Sequence, residues 1–143
     1  MFSIGNWYYI FAPANPDFDG DGLLDLWEYA RFGTTAGHAP LDDFDADGRK
    51  ELLELAFDTD PTRPDSSALF APVRENGFLT ITITRRAGVT YTVQTSATPG
   101  SVGFSAATTT MLINTASTLK VRDNCPTSTT AQRYLRVLVT AAP

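Results

Sequence analysis

Hydrophobic and polar positions follow three different patterns along this chain. Residues 1–13 are a run of aromatic and β-branched side chains, among them Phe2, Ile4, Trp7, Tyr9 and Phe11, closed by Pro13. That composition predicts a single β-strand. A lone strand has ladder groups that need a partner, so this one must pair with something. From residue 66 onward the period is two. Leu79-Thr80-Ile81-Thr82-Ile83-Thr84 and Tyr91-Thr92-Val93-Gln94-Thr95 alternate apolar with polar, and Arg85-Arg86-Ala87-Gly88 makes a turn between them. Further strands are expected over 69–74, 102–106, 109–114, 118–122 and 133–140. Strands this short, separated by regular turns, predict an antiparallel β-sandwich of the immunoglobulin or fibronectin III kind.

The stretch between, residues 14–65, repeats with a period of 26. Asp17-Phe18-Asp19-Gly20-Asp21-Gly22 aligns with Asp43-Phe44-Asp45-Ala46-Asp47-Gly48, and the register continues through Asp25/Glu51, Leu26/Leu52, Glu28/Glu54 and Ala30/Ala56. Each acidic loop is expected to run into a short helix, over 23–32 and 49–57. Gly33 suits the left-handed residue that ends the first helix. Asp60-Pro61 and Arg63-Pro64 stop the second. Leu26, Tyr29 and Ala30, like Leu52, Leu55 and Ala56, are expected to form apolar stripes that pack helix on helix. The chain thus reads as mainly β with a small α module, in three parts: a strand at 1–13, tandem repeats at 14–65 and a β domain at 66–143.

Charge separates the same parts. Residues 1–65 carry 14 acidic and 4 basic side chains, a balance of −10; residues 66–143 carry 2 and 7, a balance of +5. An acidic front and a basic back favour head-to-tail contact between copies. Without a polybasic run or a long apolar stretch, neither nucleic-acid binding nor a membrane span is expected. The start of the chain lacks the cationic and small-residue pattern of a signal peptide. Cys125 is the single cysteine, which rules out an internal disulfide.

Both acidic loops satisfy the pattern D-x-D-x-D-G-x5-E. A hard dication takes six to eight oxygens, and a tightly wound loop presents them at set intervals. The first loop offers the side chains of Asp17, Asp19 and Asp21, the carbonyl of Leu23, Asp25 at the ninth position (directly or through water), and a bidentate Glu28. The second offers Asp43, Asp45 and Asp47, the carbonyl of Arg49, then Glu51 and Glu54. Five carboxylates per loop repel one another without a metal. Two Ca²⁺ ions per chain are therefore expected, in preference to Mg²⁺, whose smaller shell tolerates a bidentate cage poorly. Asp42, Asp58, Asp60 and Asp65 are further carboxylates within reach. Proline at 16 and 40 disfavours a helix entering either loop, which suits a rigid spacer better than a calcium switch.

On these residues, and on the closing Asp-Thr-Asp-Pro at 58–61, residues 15–65 resemble the thrombospondin type 3 and dockerin-like calcium repeats of secreted bacterial surface proteins. Residues 66–143, with Thr-Tyr-Thr-Val-Gln-Thr-Ser and Arg-Tyr-Leu-Arg-Val, are similar to the β-sandwich tails that follow such repeats. The Glu at position 12 and the 26-residue period depart from the dockerin pattern, so a cohesin partner is not implied.

No catalytic motif is present, and His38, the single histidine, is expected to be exposed in the linker Gly37-His38-Ala39-Pro40. The expectation is a non-enzymatic, extracellular structural protein. Its strand, through Phe2, Ile4, Trp7, Tyr9 and Phe11, inserts into the next molecule's sandwich to build a fibre or surface layer, or folds back onto its own. The alternative is an adhesin or polysaccharide-binding tail of a secreted protein.

Overall fold

The computed structural model describes residues 16–129 and 132–142. The strand expected at 1–13 lies outside these residues. Within them the protein is mainly β, with two small helices and antiparallel sheets.

The helices are α1 (Asp25–Phe32) and α2 (Glu51–Phe57). Each starts two residues later than the acidic pattern suggests. Leu24 and Lys50 are still extended, and their carbonyls accept the first helical bonds, from Glu28 and Glu54 N–H at 3.0 Å in both repeats. Gly33 ends α1 in the left-handed region, as expected, and Asp58 ends α2 the same way at φ 56°. The apolar stripe of α2 is packed inward, with Leu55 and Ala56 buried. That of α1 is not. Leu26 is 57% and Tyr29 65% exposed, and Ala30 is exposed too. What α1 contributes to the core is the turn before it, Leu23 and Leu24, together with Trp27. The helix leans on the β region through that turn, which rotates the predicted stripe toward water.

Six strands follow: β1 (Val73–Glu75), β2 (Phe78–Thr84), β3 (Val89–Ser96), β4 (Thr109–Asn114), β5 (Thr118–Pro126) and β6 (Tyr134–Ala141). One sheet has the order β1-β2-β5-β4 and the other pairs β3 with β6, all antiparallel. The strand expected at 69–74 shrinks to β1. Its hairpin to β2 turns on Asn76 and Gly77, which both have positive φ (49° and 82°), as a type I′ turn requires. The strand expected at 102–106 is reduced to one bridge, Ser105 to Thr95. The turn at Ala87-Gly88 carries the chain from one sheet to the other; it does not close a hairpin.

Ile81 and Ile83 of β2, Leu119 and Val121 of β5, and Val89, Tyr91 and Val93 of β3 share one buried cluster with Leu23, Leu24, Leu55 and Ala56. Alternation delivers the strand residues to it: every second residue faces the same way. The Tyr91 hydroxyl donates to the Ala56 carbonyl at 2.7 Å, tying α2 to β3. Gly88, at φ 76°, lies against Leu24; an added Cβ would sit 2.6 Å from a Leu24 methyl. Asp123 is fully buried and held by Arg133, with Nε–Oδ2 2.6 Å and Nη2–Oδ1 2.8 Å. Burial alone would raise its carboxyl pKa, but the Arg133 and Cys125 hydrogen bonds hold it below the usual range.

Candidate metal centre

The two acidic loops share most of their backbone-to-carboxylate bonds, although Gly20 N–H donates to Asp17 Oδ1 at 2.7 Å and the matching Asp43 Oδ1 has no described donor. In the first, Asp17 Oδ2 accepts the Gly22 N–H at 3.0 Å, and in the second Asp43 Oδ2 accepts that of Gly48 at 3.0 Å. Asp21 Oδ1 accepts from Leu23 N–H, as Asp47 Oδ1 does from Arg49. Asp25 Oδ1 reaches back to Phe18 N–H, and Glu51 Oε1 to Phe44 N–H. Each of these pairs is offset by the sequence period. The bend needs a left-handed residue at the sixth position, supplied by Gly22 (φ 100°) and Gly48 (φ 94°).

This winding collects carboxylates. Ligand-capable oxygens of Asp17, Asp19 and Asp25 lie within 4.8 Å of one another, as do those of Asp19, Asp21 and Glu28, and of Asp43, Asp45 and Asp47. Glu28 and Glu51 are fully buried and Glu54 is 1% exposed. Their burial is only partly compensated. Among the described residues, both carboxylate oxygens of Glu28 lack any hydrogen-bond partner, and so do Asp21 Oδ2, Asp43 Oδ1, Asp45 Oδ2, Glu51 Oε2 and Glu54 Oε2. A buried carboxylate oxygen with no donor costs several kcal/mol unless it is protonated or meets a cation.

The electrostatics carry the same mark. Burial, with Asp21, Asp19, Asp25 and Asp17 adding repulsion, pushes the Glu28 carboxyl up to about 7. Burial likewise lifts Glu54 to about 7, against a hydrogen bond from Thr59. Glu51 is raised for the same first reason. The residues present therefore fit a hard divalent cation: crowded carboxylate acceptors, with the glutamates buried and several oxygens left without a donor.

The sequence-derived donor set is largely brought together. The first loop gathers Asp17, Asp19, Asp21, Asp25 and Glu28. In the second, Asp43, Asp45 and Asp47 converge, whereas Glu54 Oε1 is engaged by Thr59 and Glu51 Oε1 by Phe44 N–H. The four additional carboxylates have other work. Asp42 accepts from Ala39 N–H. Asp58 pairs with Arg31 and Arg86, and Asp60 pairs with Arg31 and accepts from Thr62. Asp65 meets Arg49 and Ser67.

Sequence reasoning treated Arg49 as a backbone carbonyl and missed its side chain. The guanidinium donates to the Ser67 carbonyl and to Asp65 Oδ2, and Asp65 N–H donates to Asp47 Oδ2 at 2.9 Å. These bonds fasten the second loop to the segment leading into β1. His38 is half-buried, contrary to expectation, and stacks on Phe32 with centroids 3.6 Å apart. Phe44, itself 59% exposed, meets both rings edge-on, so the linker packs against α1 and the second loop.

The chain matches no protein-family model, no characterised protein and no solved structure. Among the described residues, no helix is long and apolar enough to cross a membrane.

Proposed function

We propose that this chain is a calcium-stabilised extracellular structural protein that assembles head-to-tail by insertion of its N-terminal strand. The carrying observation is the set of buried carboxylate oxygens without partners in two loops of matched geometry, led by Glu28. Asp17, Asp19, Asp21, Leu23, Asp25 and Glu28 would hold one Ca²⁺; Asp43, Asp45, Asp47, Arg49, Glu51 and Glu54 would hold the other. Bound calcium supplies the positive charge that lets these groups stay ionised in a dry setting. The two repeats then form a rigid spacer of the thrombospondin type 3 or dockerin-like kind, carrying no catalytic role. The two sheets are read as an open sandwich of immunoglobulin or fibronectin III type. A sequence segment rich in aromatics, Phe2 to Phe11, and a spacer of fixed shape together suit a heterologous contact, which propagates unless it closes.

The test is electron microscopy and sizing of the full chain in excess calcium and in chelator, alongside metal analysis. Fibres or sheets that disappear with chelator, or on removal of residues 1–11, support the reading; a metal-free monomer in millimolar calcium refutes it. The second reading, an adhesin or carbohydrate-binding tail, draws on the exposed rings of Phe18, Tyr29 and Phe44. It is favoured by a calcium-loaded monomer that is retained on polysaccharide.

A further inference from the structure

The free edges of the two sheets are not equally defended. In the four-stranded sheet, β1 is only 3 residues long, and β4 is irregular between Met111 and Ile113. Short strands and bulges are the usual protection against strand addition. The outer edge of β3 is partly occupied, because Ser105 exchanges both backbone bonds with Thr95. The outer edge of β6 has none of these features. Its 8 residues pair with β3 in unbroken register from Val89↔Ala141 to Ser96↔Tyr134, and no proline interrupts it.

Parity fixes which groups point outward. Ala142 N–H bonds to the Gly88 carbonyl, so Thr140, Leu138, Arg136 and Tyr134 face β3 with their backbone groups. Those of Leu135, Val137, Val139 and Ala141 therefore point away from β3, and no other described strand lies beside them. Burial shows the same gap. Tyr91 and Val93 are 6% and 4% exposed, yet their cross-strand partners Val139 and Val137, facing the same core, are only half-buried. Among the described residues, cover is missing on the β6 side. Beside that edge lies a groove of about 220 Å³ lined by Leu41, Leu52, Leu53, Val137, Leu138 and Val139, with Lys50 on its rim. Leu41 is 75% exposed. One wall of the groove is thus the second acidic repeat.

We propose that the outer edge of β6, with this groove, is the acceptor for the segment Phe2–Phe11 of a second copy, and that the folded second repeat forms part of the acceptor. The proposal rests on the strand-insertion reading above and names its partner surface. Added antiparallel, the segment would satisfy the outward groups of β6 and lay alternate side chains over Leu135, Val137 and Val139. The second copy is favoured over the chain's own segment by direction. The described chain begins at the first acidic loop, which meets the far end of β6 where Gly22 abuts Ala141. A segment entering from there runs parallel to β6, whereas every strand pair described is antiparallel. A neighbouring molecule's segment has no such tether.

The experiment is residue-resolved amide exchange on the full chain in calcium, dilute and assembled. The Leu135, Val137, Val139 and Ala141 amides should exchange freely in dilute monomer and at least about ten-fold more slowly in the assembly. Protection already complete in the dilute monomer assigns the groove to the chain's own segment and overturns the proposal. No added protection in an assembly that still needs residues 1–11 places the acceptor elsewhere; it overturns this inference but leaves strand insertion standing. A chain that never assembles sinks both. Val137→Pro gives a second check. It removes an N–H that β3 does not use, so it should block assembly in a chain that still melts cooperatively and binds calcium as the parent does, even where the lost packing of Val137 lowers the midpoint. Normal assembly by a folded Val137→Pro chain overturns the proposal.

Discussion

The two acidic loops carry the same pattern and most of the same backbone bonds, yet they sit differently in the molecule. At the fifth position, Asp21 has one oxygen buried without a partner, and burial raises its pKa. Asp47 at the matching position accepts from Asp65 and Arg49 N–H groups, which lower its pKa. At the seventh position Leu23 is fully buried in the core, while Arg49 reaches Asp65 and Ser67. At the twelfth, Glu28 is wholly unpartnered and Glu54 is half satisfied by Thr59. The first loop is therefore attached by hydrophobic contact and leaves Glu28 wholly open, whereas the second is attached by polar bonds that answer Asp47 and half of Glu54, while one oxygen each of Asp43, Asp45, Glu51 and Glu54 stays open. A repeated motif fixes backbone geometry; position seven decides how each copy is fastened.

The largest expected effect is metal removal. If each site is occupied at about 100 times its dissociation constant, calcium stabilises by about 2.7 kcal/mol per site, and chelation should lower the melting temperature accordingly. In the metal-free chain the dependence on pH has a definite sign. Glu28 and Glu54 have folded pKa values of about 7 against an ordinary 4.5. Their protonated forms favour the folded state, so that stability is fully present below about pH 4.5 and is lost as pH rises through about 7. Thermal melts in chelator across that window should show the decline, and melts in calcium should show it reduced; a flat apo profile contradicts the open character of the first loop.

Exchanging the seventh positions comes next. Leu23→Arg places a charge where no acceptor waits and should cost about 3–5 kcal/mol in denaturant unfolding. Arg49→Leu, the reverse swap, removes only partly exposed hydrogen bonds and should cost about 1–3 kcal/mol. If the two costs prove equal, the distinction between hydrophobic and polar fastening fails. The smallest effect is expected from Asp60→Asn, whose pairing with Arg31 at 3.9 Å is largely solvated: under about 1 kcal/mol.

Much of this was legible beforehand. The 26-residue period predicted most of the bonds the two loops share, and the period-two runs located β2 and β3; the strands expected at 109–114 and 133–140 match β4 and β6 closely, while β5 runs on past the expected 122 to Pro126. Where the reading went astray, long-range contact had overruled local pattern. Leu26, Tyr29 and Ala30 have helical spacing, but Leu23 and Leu24 took the core and turned them outward. The stretch 102–106 has strand-like residues but meets only Thr95. Asn76-Gly77 is a local hairpin signal, and the turn it makes places β1 at Val73–Glu75, nearer to β2 than the expected 69–74. The Arg49 side chain had little local signature, since its hydrogen-bond partners lie beyond residue 64 and only the Asp47 carboxylate, at 3.8 Å, is near in sequence. The buried Asp123–Arg133 pair was equally hidden, though two opposite charges in a weakly charged half were a clue.

Gly88 joins the two parts of the molecule at one backbone position. Its left-handed conformation excludes most side chains, and the Leu24 methyl pressed against it excludes even alanine unless buried neighbours yield. Two independent barriers thus guard a single residue. With the Tyr91 bond to Ala56 and the approach of Gly22 to Ala141, this contact makes the seat of the acidic repeats on the sheets a matter of steric exclusion as well as attraction.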